Sequence, residues 1–259
     1  MVYDTISVEK EEAIAVVRLN RPPVNFLITK SYAELYDAFS ELDVDETVSV
    51  IILTGAGDKC FTVGLDIKDA AGKTMAEYLD FSATVRKAVD SIGNAKKPTI
   101  AALFGFALGG GCELALACDL RIAANDATIG CPEVNLGIMP GSGGSQRMTR
   151  LIGMSKAKEL LLMGDTVTGE EAARIGLVNK AVAKEALMDE AKTWAKKLAK
   201  RPKVAVSLIK KAIDQGMNMD LASAISFESE CFALSYVSED GREGISAFAQ
   251  KRKPVFKGR

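Results

Sequence analysis

Two glutamates stand out by their surroundings. Glu113 follows three consecutive glycines, Gly109 to Gly111, inside the apolar stretch FGFALGGGCELALACDLRI at residues 104–122. Glu133 follows Pro132 in IGCPEVNLGIMPGSGGSQRMTRLIG, residues 129–153, where the next charged side chain is Arg147. A carboxyl group withdrawn from water holds its proton to higher pH, and two carboxyl groups in unlike settings divide the work of acid and base. The glycines add a second function. They let backbone approach a ligand closely, and a helix that starts in CELALACDL presents its first N–H groups without internal partners. Free donors and the positive end of the helix dipole together favour an oxygen that is gaining negative charge. Taken alone, a glutamate in a first turn also simply complements that dipole. The second glutamate is what points to an acid and base pair.

The composition removes several chemistries. The chain contains no histidine, which excludes Ser-His-Asp and Cys-His nucleophiles, HExxH metalloproteases and the usual His-bearing zinc sites, so no metal is expected. Its five cysteines, Cys60, Cys112, Cys118, Cys131 and Cys231, are odd in number and never spaced C-x-x-C; they read as reduced, buried thiols of a cytosolic protein. Lys plus Arg total 33 against 34 for Asp plus Glu, so no whole-protein field draws nucleic acid or an anionic membrane, and any phosphate site must be local. The opening MVYDTISVEKEEA carries acidic charges and no apolar core, unlike a signal or transit peptide. The expected location is the cytoplasm. Residues 99–118 approach the length of a membrane span, but an unpaired Glu113 in hydrocarbon would cost a few kcal/mol and each glycine weakens a helix by about 1 kcal/mol. A buried strand, a tight turn and a buried helix divide that segment better. GIMPGSGGSQR, at 137–147, lacks the Lys-Ser/Thr pair of a phosphate loop and reads as a loop shaping the site around Glu133.

These residues need a scaffold. At 259 residues the chain can form one large α/β domain, alone or with a helical appendage. Strand patterns at 13–20, 49–55, 99–105 and 119–124 alternate with helical patterns at 31–42 and 77–92, which predicts a mainly parallel, helix-covered architecture. Beyond about residue 165 the reading is helical, without a strong strand signal. Thr168 and Glu171 suggest a capping box with Gly176 as a stop. In residues 185–202, Leu187, Ala191, Trp194, Ala195 and Leu198 share one helix face, with the lysines on the solvated side.

The 104–153 segment closely resembles the signature region of the enoyl-CoA hydratase (crotonase) family. CFTVGLDIKD at 60–69, RPPVNFL near the start, TGEEAARIGLVNKAV and the terminal AFAQKRKPVFKGR resemble further family elements, so the likeness spans essentially the whole chain. It implies an α/β fold, a crotonase-like spiral of repeated β-β-α units. A core domain at 1–195 would carry the active site, and a C-terminal helical section at 196–259 would mediate trimers or dimers of trimers and contact CoA. It also implies stabilisation of an enolate formed from an acyl-CoA thioester. The backbone amides of Leu65 and Gly110 would form the oxyanion hole. Glu113 and Glu133 would add water syn across the double bond of a 2-enoyl-CoA, the first accepting a proton from water and the second delivering one to the α-carbon. CoA is part of the substrate, so no cofactor is implied.

The resemblance assigns substrate binding to Pro23, Val24 and Phe26 in the adenine-side loop, to Gly64, Asp66, Ile67, Lys68 and Gly109, and to Phe248 and Lys251 from the C-terminal helix, with Lys251 and Lys68 beside the nucleotide. Without it, Lys68 and the basic C-terminal helix would read as solvated surface. Leu65 is bulkier than the small residue often found at its position, and the loop at 21–27 is one residue shorter than in many relatives. Tyr78 and Phe81 fall in the segment that lines the acyl pocket of relatives, which keeps open an isomerase or a hydratase of cyclic or aromatic-pathway acyl-CoAs. An RNA-binding role is the distant alternative, and the balanced charge opposes it.

Overall fold

The computed structural model of the chain describes residues 2–259. It opens with strands β1 (Ile6–Glu11) and β2 (Ile14–Leu19), helix α1 (Thr29–Val44) and strand β3 (Val50–Gly55). Helices α2 (Ile67–Ala70) and α3 (Met75–Gly93) precede β4 (Thr99–Leu103), β5 (Phe106–Leu108), α4 (Gly110–Ala117), β6 (Leu120–Ala124) and β7 (Thr128–Gly130). Then come α5 (Gly144–Ile152), α6 (Met154–Met163), β8 (Val167–Thr168), α7 (Gly169–Arg174) and β9 (Lys180–Val182). Helices α8 (Leu187–Ala199), α9 (Lys203–Gly216), α10 (Leu221–Val237) and α11 (Glu239–Ala249) complete the chain.

Six strands form the main sheet in the order β1-β2-β3-β4-β6-β9. Only the β1–β2 hairpin is antiparallel; every other pairing in this sheet is parallel. Parallel strands covered on both faces read as continuous apolar runs, and β3, VIILTG, is buried along its whole length. A second sheet, β5-β7-β8, runs beside it. Two isolated parallel bridges, Leu27 to Leu65 and Thr62 to Ala107, continue that second layer backwards through the chain. Each main-sheet strand from β2 to β6 is therefore followed by a short extended segment in the second layer and then by a helix. This repeat is the β-β-α spiral.

The segment of membrane-span length resolves into β4, β5 and α4, and no helix among the described residues is long and apolar enough to cross a membrane. The expected helical face of α8 packs on β3, β4 and β6, with Leu187, Ala191 and Ala195 buried and Trp194 and Leu198 partly buried against the core. Two expectations need correction. The section beyond residue 165 contains β8 and β9, whose two and three residues are too few to show an alternating pattern; both gain their pairing from tertiary contacts, β8 with β7 and β9 with β6. The proposed Thr168–Glu171 box forms only on one side: the Thr168 hydroxyl accepts from Glu171 N–H at 3.2 Å, while the Glu171 carboxylate turns to Arg174. A reciprocal box does form at α3, between Thr74 and Glu77. All five cysteines are unpaired and buried.

Candidate active site

Open parallel sheets bind ligands beyond the carboxyl ends of their strands. Here the segment 60–66 leaves the carboxyl end of β3, and the segment 104–113 leaves that of β4. The loop 21–27 closes over the first of them. Asn25, 1% exposed and at φ +53°, donates from its side-chain amide to the carbonyls of Ala56, Cys60 and Phe61, and its Oδ1 accepts from Arg21 N–H. Val63 N–H then donates to Val24, and the Thr62 hydroxyl to Asn25. A single buried amide side chain thus fixes the loop that carries Pro23, Val24 and Phe26.

The two backbone donors follow from this lattice. Leu27 donates to Gly64 at 2.9 Å and accepts from Asp66 at 2.8 Å, which leaves the N–H of the intervening Leu65 pointing to the other side. Gly110 opens α4 after Gly109, whose φ of +55° turns the chain sharply. Among the described residues neither Leu65 N–H nor Gly110 N–H has an acceptor. The two lie close together: a Cβ built on Gly64, itself at φ +90°, would stand 3.4 Å from Gly110 N and only 2.6 Å from Leu108 O. Only glycine fits there.

Glu113 lies in the first turn of α4 and is 3% exposed. Its Oε1 accepts from Ser142 N–H at 2.6 Å and from Gly144 N–H at 2.9 Å. The helix terminus that grips its carboxylate is therefore that of α5, not its own. The glycine-rich loop expected to shape the surroundings of Glu133 serves Glu113 instead. Burial pushes the Glu113 pKa up; the two amides and the nearby Arg147 pull against it by favouring the charged form.

Glu133 starts a 3-10 turn, Glu133–Leu136, after Pro132. A Cβ on Gly109 would sit 3.1 Å from its Oε1, so this carboxyl lies directly against the glycine turn before α4. Its Oε2 is buried and has no hydrogen-bond partner among the described residues. Burial, reinforced by the charge of Glu113, raises its pKa to about 7. The structure therefore brings together Glu113, Glu133, Gly109, Gly110, Gly64 and Leu65. It gives the two carboxyls different settings: one oxygen of Glu113 is held by two backbone donors, whereas half-buried Glu133 keeps one oxygen buried without a partner.

The proposed CoA residues lie further out. Pro23 and Phe26 are exposed and Val24 half-buried. Asp66 caps α2 by accepting from Lys68 N–H, and Ile67 and Lys68 are exposed on it. Phe248 is 87% exposed at the end of α11, with Lys251 just beyond. No hydrogen bond or ion pair among the described residues joins Phe248 or Lys251 to the glutamate site. A cavity of about 770 Å³, walled by Ser49, Lys97, Pro98 and Lys203 among others, opens at the amino ends of β3 and β4 and contains none of these residues.

Four contributors escape sequence reasoning. Ser142 and Gly144 act through backbone. Asn25 carries only the weak signal of a polar residue between apolar ones. Tyr32, on α1, is 2% exposed and its pKa is raised by burial and then by the charges of Glu113 and Glu133; within SYAELYDAFSEL it reads as an ordinary core aromatic.

Comparison with known proteins finds similarity along nearly the whole chain. Residues 9–259 match the family model described as enoyl-CoA hydratase/isomerase. A crotonyl-CoA hydratase of Syntrophomonas wolfei is 45% identical over 257 residues, covering 99% of each chain. A short-chain-enoyl-CoA hydratase of Clostridium acetobutylicum is 43% identical over 254 residues, 98% of this chain and 97% of that one. The crystal structure of an enoyl-CoA hydratase from Bacillus anthracis superposes with a TM-score of 0.94 at 37% identity, over 99% of this chain and 100% of that one.

Proposed function

The chain belongs to the enoyl-CoA hydratase/isomerase family and is an enoyl-CoA hydratase, a carbon–oxygen lyase; from that premise we propose how its residues carry the reaction. The thioester oxygen of a 2-enoyl-CoA lies between the N–H groups of Leu65 and Gly110. Glu113, ionised, takes a proton from water as the water oxygen bonds to the β-carbon. The double-bond electrons move onto the α-carbon and thioester as an enolate. Glu133, protonated, then delivers its proton to the α-carbon, giving a 3-hydroxyacyl-CoA; both atoms add to one face. Proton exchange with solvent restores the starting forms.

The observation that carries this division is the contrast between the carboxyls. Glu113 has two amide donors that favour its anion, whereas Glu133 has an unpartnered buried oxygen and a pKa near 7. A group of that pKa is half protonated at neutral pH, which suits a general acid.

The reading extends to the periphery. Pro23, Val24, Phe26, Asp66, Ile67 and Lys68 bind the CoA portion, and Phe248 and Lys251 reach it from a neighbouring subunit of a trimer, alone or paired into a hexamer. Their exposure in the single chain supports that role, as does the apolar surface of α9 and α10, where Ile209, Ile213, Leu221 and Phe232 are each more than half exposed. Residues 1–195 form the catalytic core and 196–259 the assembly section. The substrate brings its own CoA, so the reaction calls for no cofactor, and the unpaired cysteines suit the cytoplasm.

The test is incubation with a panel of linear and cyclic 2-enoyl-CoA thioesters, following the conjugated thioester absorbance and the product mass. Gain of one water is the expected result. Loss of conjugation at unchanged mass would assign an isomerase instead.

A further inference from the structure

Tyr32 occupies the first turns of α1 with its ring edge-on to Phe81 of α3, the centroids 6.3 Å apart and the planes at 82°. That contact, with 2% exposure, fixes where the phenol points. Its tip meets the start of α4: a Cβ built on Gly110 would stand 2.6 Å from Tyr32 Oη. The hydroxyl thus lies against the residue whose amide faces the thioester oxygen, and it, rather than backbone, is what a side chain at 110 would strike first.

The Tyr32 ring is buried, yet its hydroxyl is not among the fully enclosed side-chain atoms that lack a partner and makes no hydrogen bond among the described residues, so the oxygen opens onto the space beside Gly110. The protein leaves an O–H donor unused at the site of developing negative charge, which is the arrangement expected where the acceptor arrives with the substrate. Burial and the two glutamate charges raise the Tyr32 pKa, so the phenol keeps its proton throughout the neutral range and can only be a neutral donor there.

We propose that Tyr32 Oη–H donates a third hydrogen bond to the thioester oxygen, beside the amides of Leu65 and Gly110, and is thereby a catalytic residue. This rests on the hydratase reading above. The interaction strengthens as the oxygen gains charge, so it acts on turnover more than on binding.

Tyr32→Phe tests it, because the ring and its contact with Phe81 remain. Two quantities are read: kcat and KM for a 2-butenoyl-CoA, and the infrared carbonyl band of ¹³C-labelled butyryl-CoA, a saturated analogue that cannot be hydrated. The variant should lose roughly 10²- to 10³-fold in kcat with little change in KM, the range for removal of one oxyanion donor. Its bound carbonyl band should lie higher in wavenumber than that of the wild type. Replacing Tyr32 with 3-fluorotyrosine, which keeps the shape and strengthens the donor, should move the band lower, and this arm decides the question if the phenylalanine variant melts early. Wild-type-like kcat, an unmoved band, or a variant whose only change is the alkaline pKa of kcat would overturn the proposal, the last because Tyr32 would then act on Glu133. If the wild-type enzyme itself produced no downward shift of the butyryl-CoA carbonyl, the oxyanion hole would be at fault, not Tyr32.

Discussion

A buried carboxyl with an unpartnered oxygen is a reluctant anion, and Glu133 is built that way. Because its folded pKa lies above the unfolded value, two consequences follow. In the proposed role of general acid it must be protonated, so kcat/KM should fall as pH rises through about 7, and Glu133→Gln should abolish that limb along with most activity. Its contribution to stability is fully present below the unfolded pKa of 4.5 and is lost as pH rises through about 7. The melting temperature of Glu133→Gln should therefore decline less than that of the wild type between pH 5 and 8; an equal decline would show that Glu133 ionises without penalty. The two glutamates were legible in the sequence because charge is conspicuous in apolar, glycine-rich surroundings. The amides of Ser142 and Gly144 were not, since a backbone donor has no residue type. Tyr32 was hidden for a different reason: helical spacing explains it fully until the fold places Gly110 at its tip.

At the scale of elements, the site depends on how the second layer is pinned. Gly64 combines φ +90° with a carbonyl 2.6 Å from any Cβ, so Gly64→Ala must shift the strand that presents Leu65 N–H. A displaced oxyanion donor costs roughly 10² to 10³ in rate, and the expected readout is a fall in kcat with the fold retained by circular dichroism. Asn25→Ala would leave the carbonyls of Ala56, Cys60 and Phe61 without their side-chain donor. Buried groups left unsatisfied cost about 1–3 kcal/mol, to be measured by denaturant unfolding; no loss would mean that the loop at 21–27 is held by something else. The long strands β2, β3, β4 and β6 could be read in advance because full burial writes continuous apolar runs. The short strands β5, β7, β8 and β9 could not, because two or three residues owe their conformation to the neighbour they pair with rather than to their own pattern.

For the whole molecule, the C-terminal helices carry an unburied apolar surface. Leu221, Phe232, Leu234 and Tyr236 on α10 are each more than half exposed, a surface that the assembly proposed above would cover. Light scattering should give a mass of three or six 27.6 kDa chains, and Phe232→Glu should dissociate the assembly and weaken CoA binding together if Phe248 and Lys251 serve a neighbouring site. Dissociation with CoA affinity intact would confine each site to one chain. The central claim, that two glutamates divide base and acid work across one thioester, is tested most directly by single-turnover hydration in Glu113→Gln and Glu133→Gln, with butyryl-CoA affinity measured alongside. Each variant should lose roughly 10²- to 10⁴-fold in rate while binding the analogue as the wild type does; near-native hydration by either one would contradict the account.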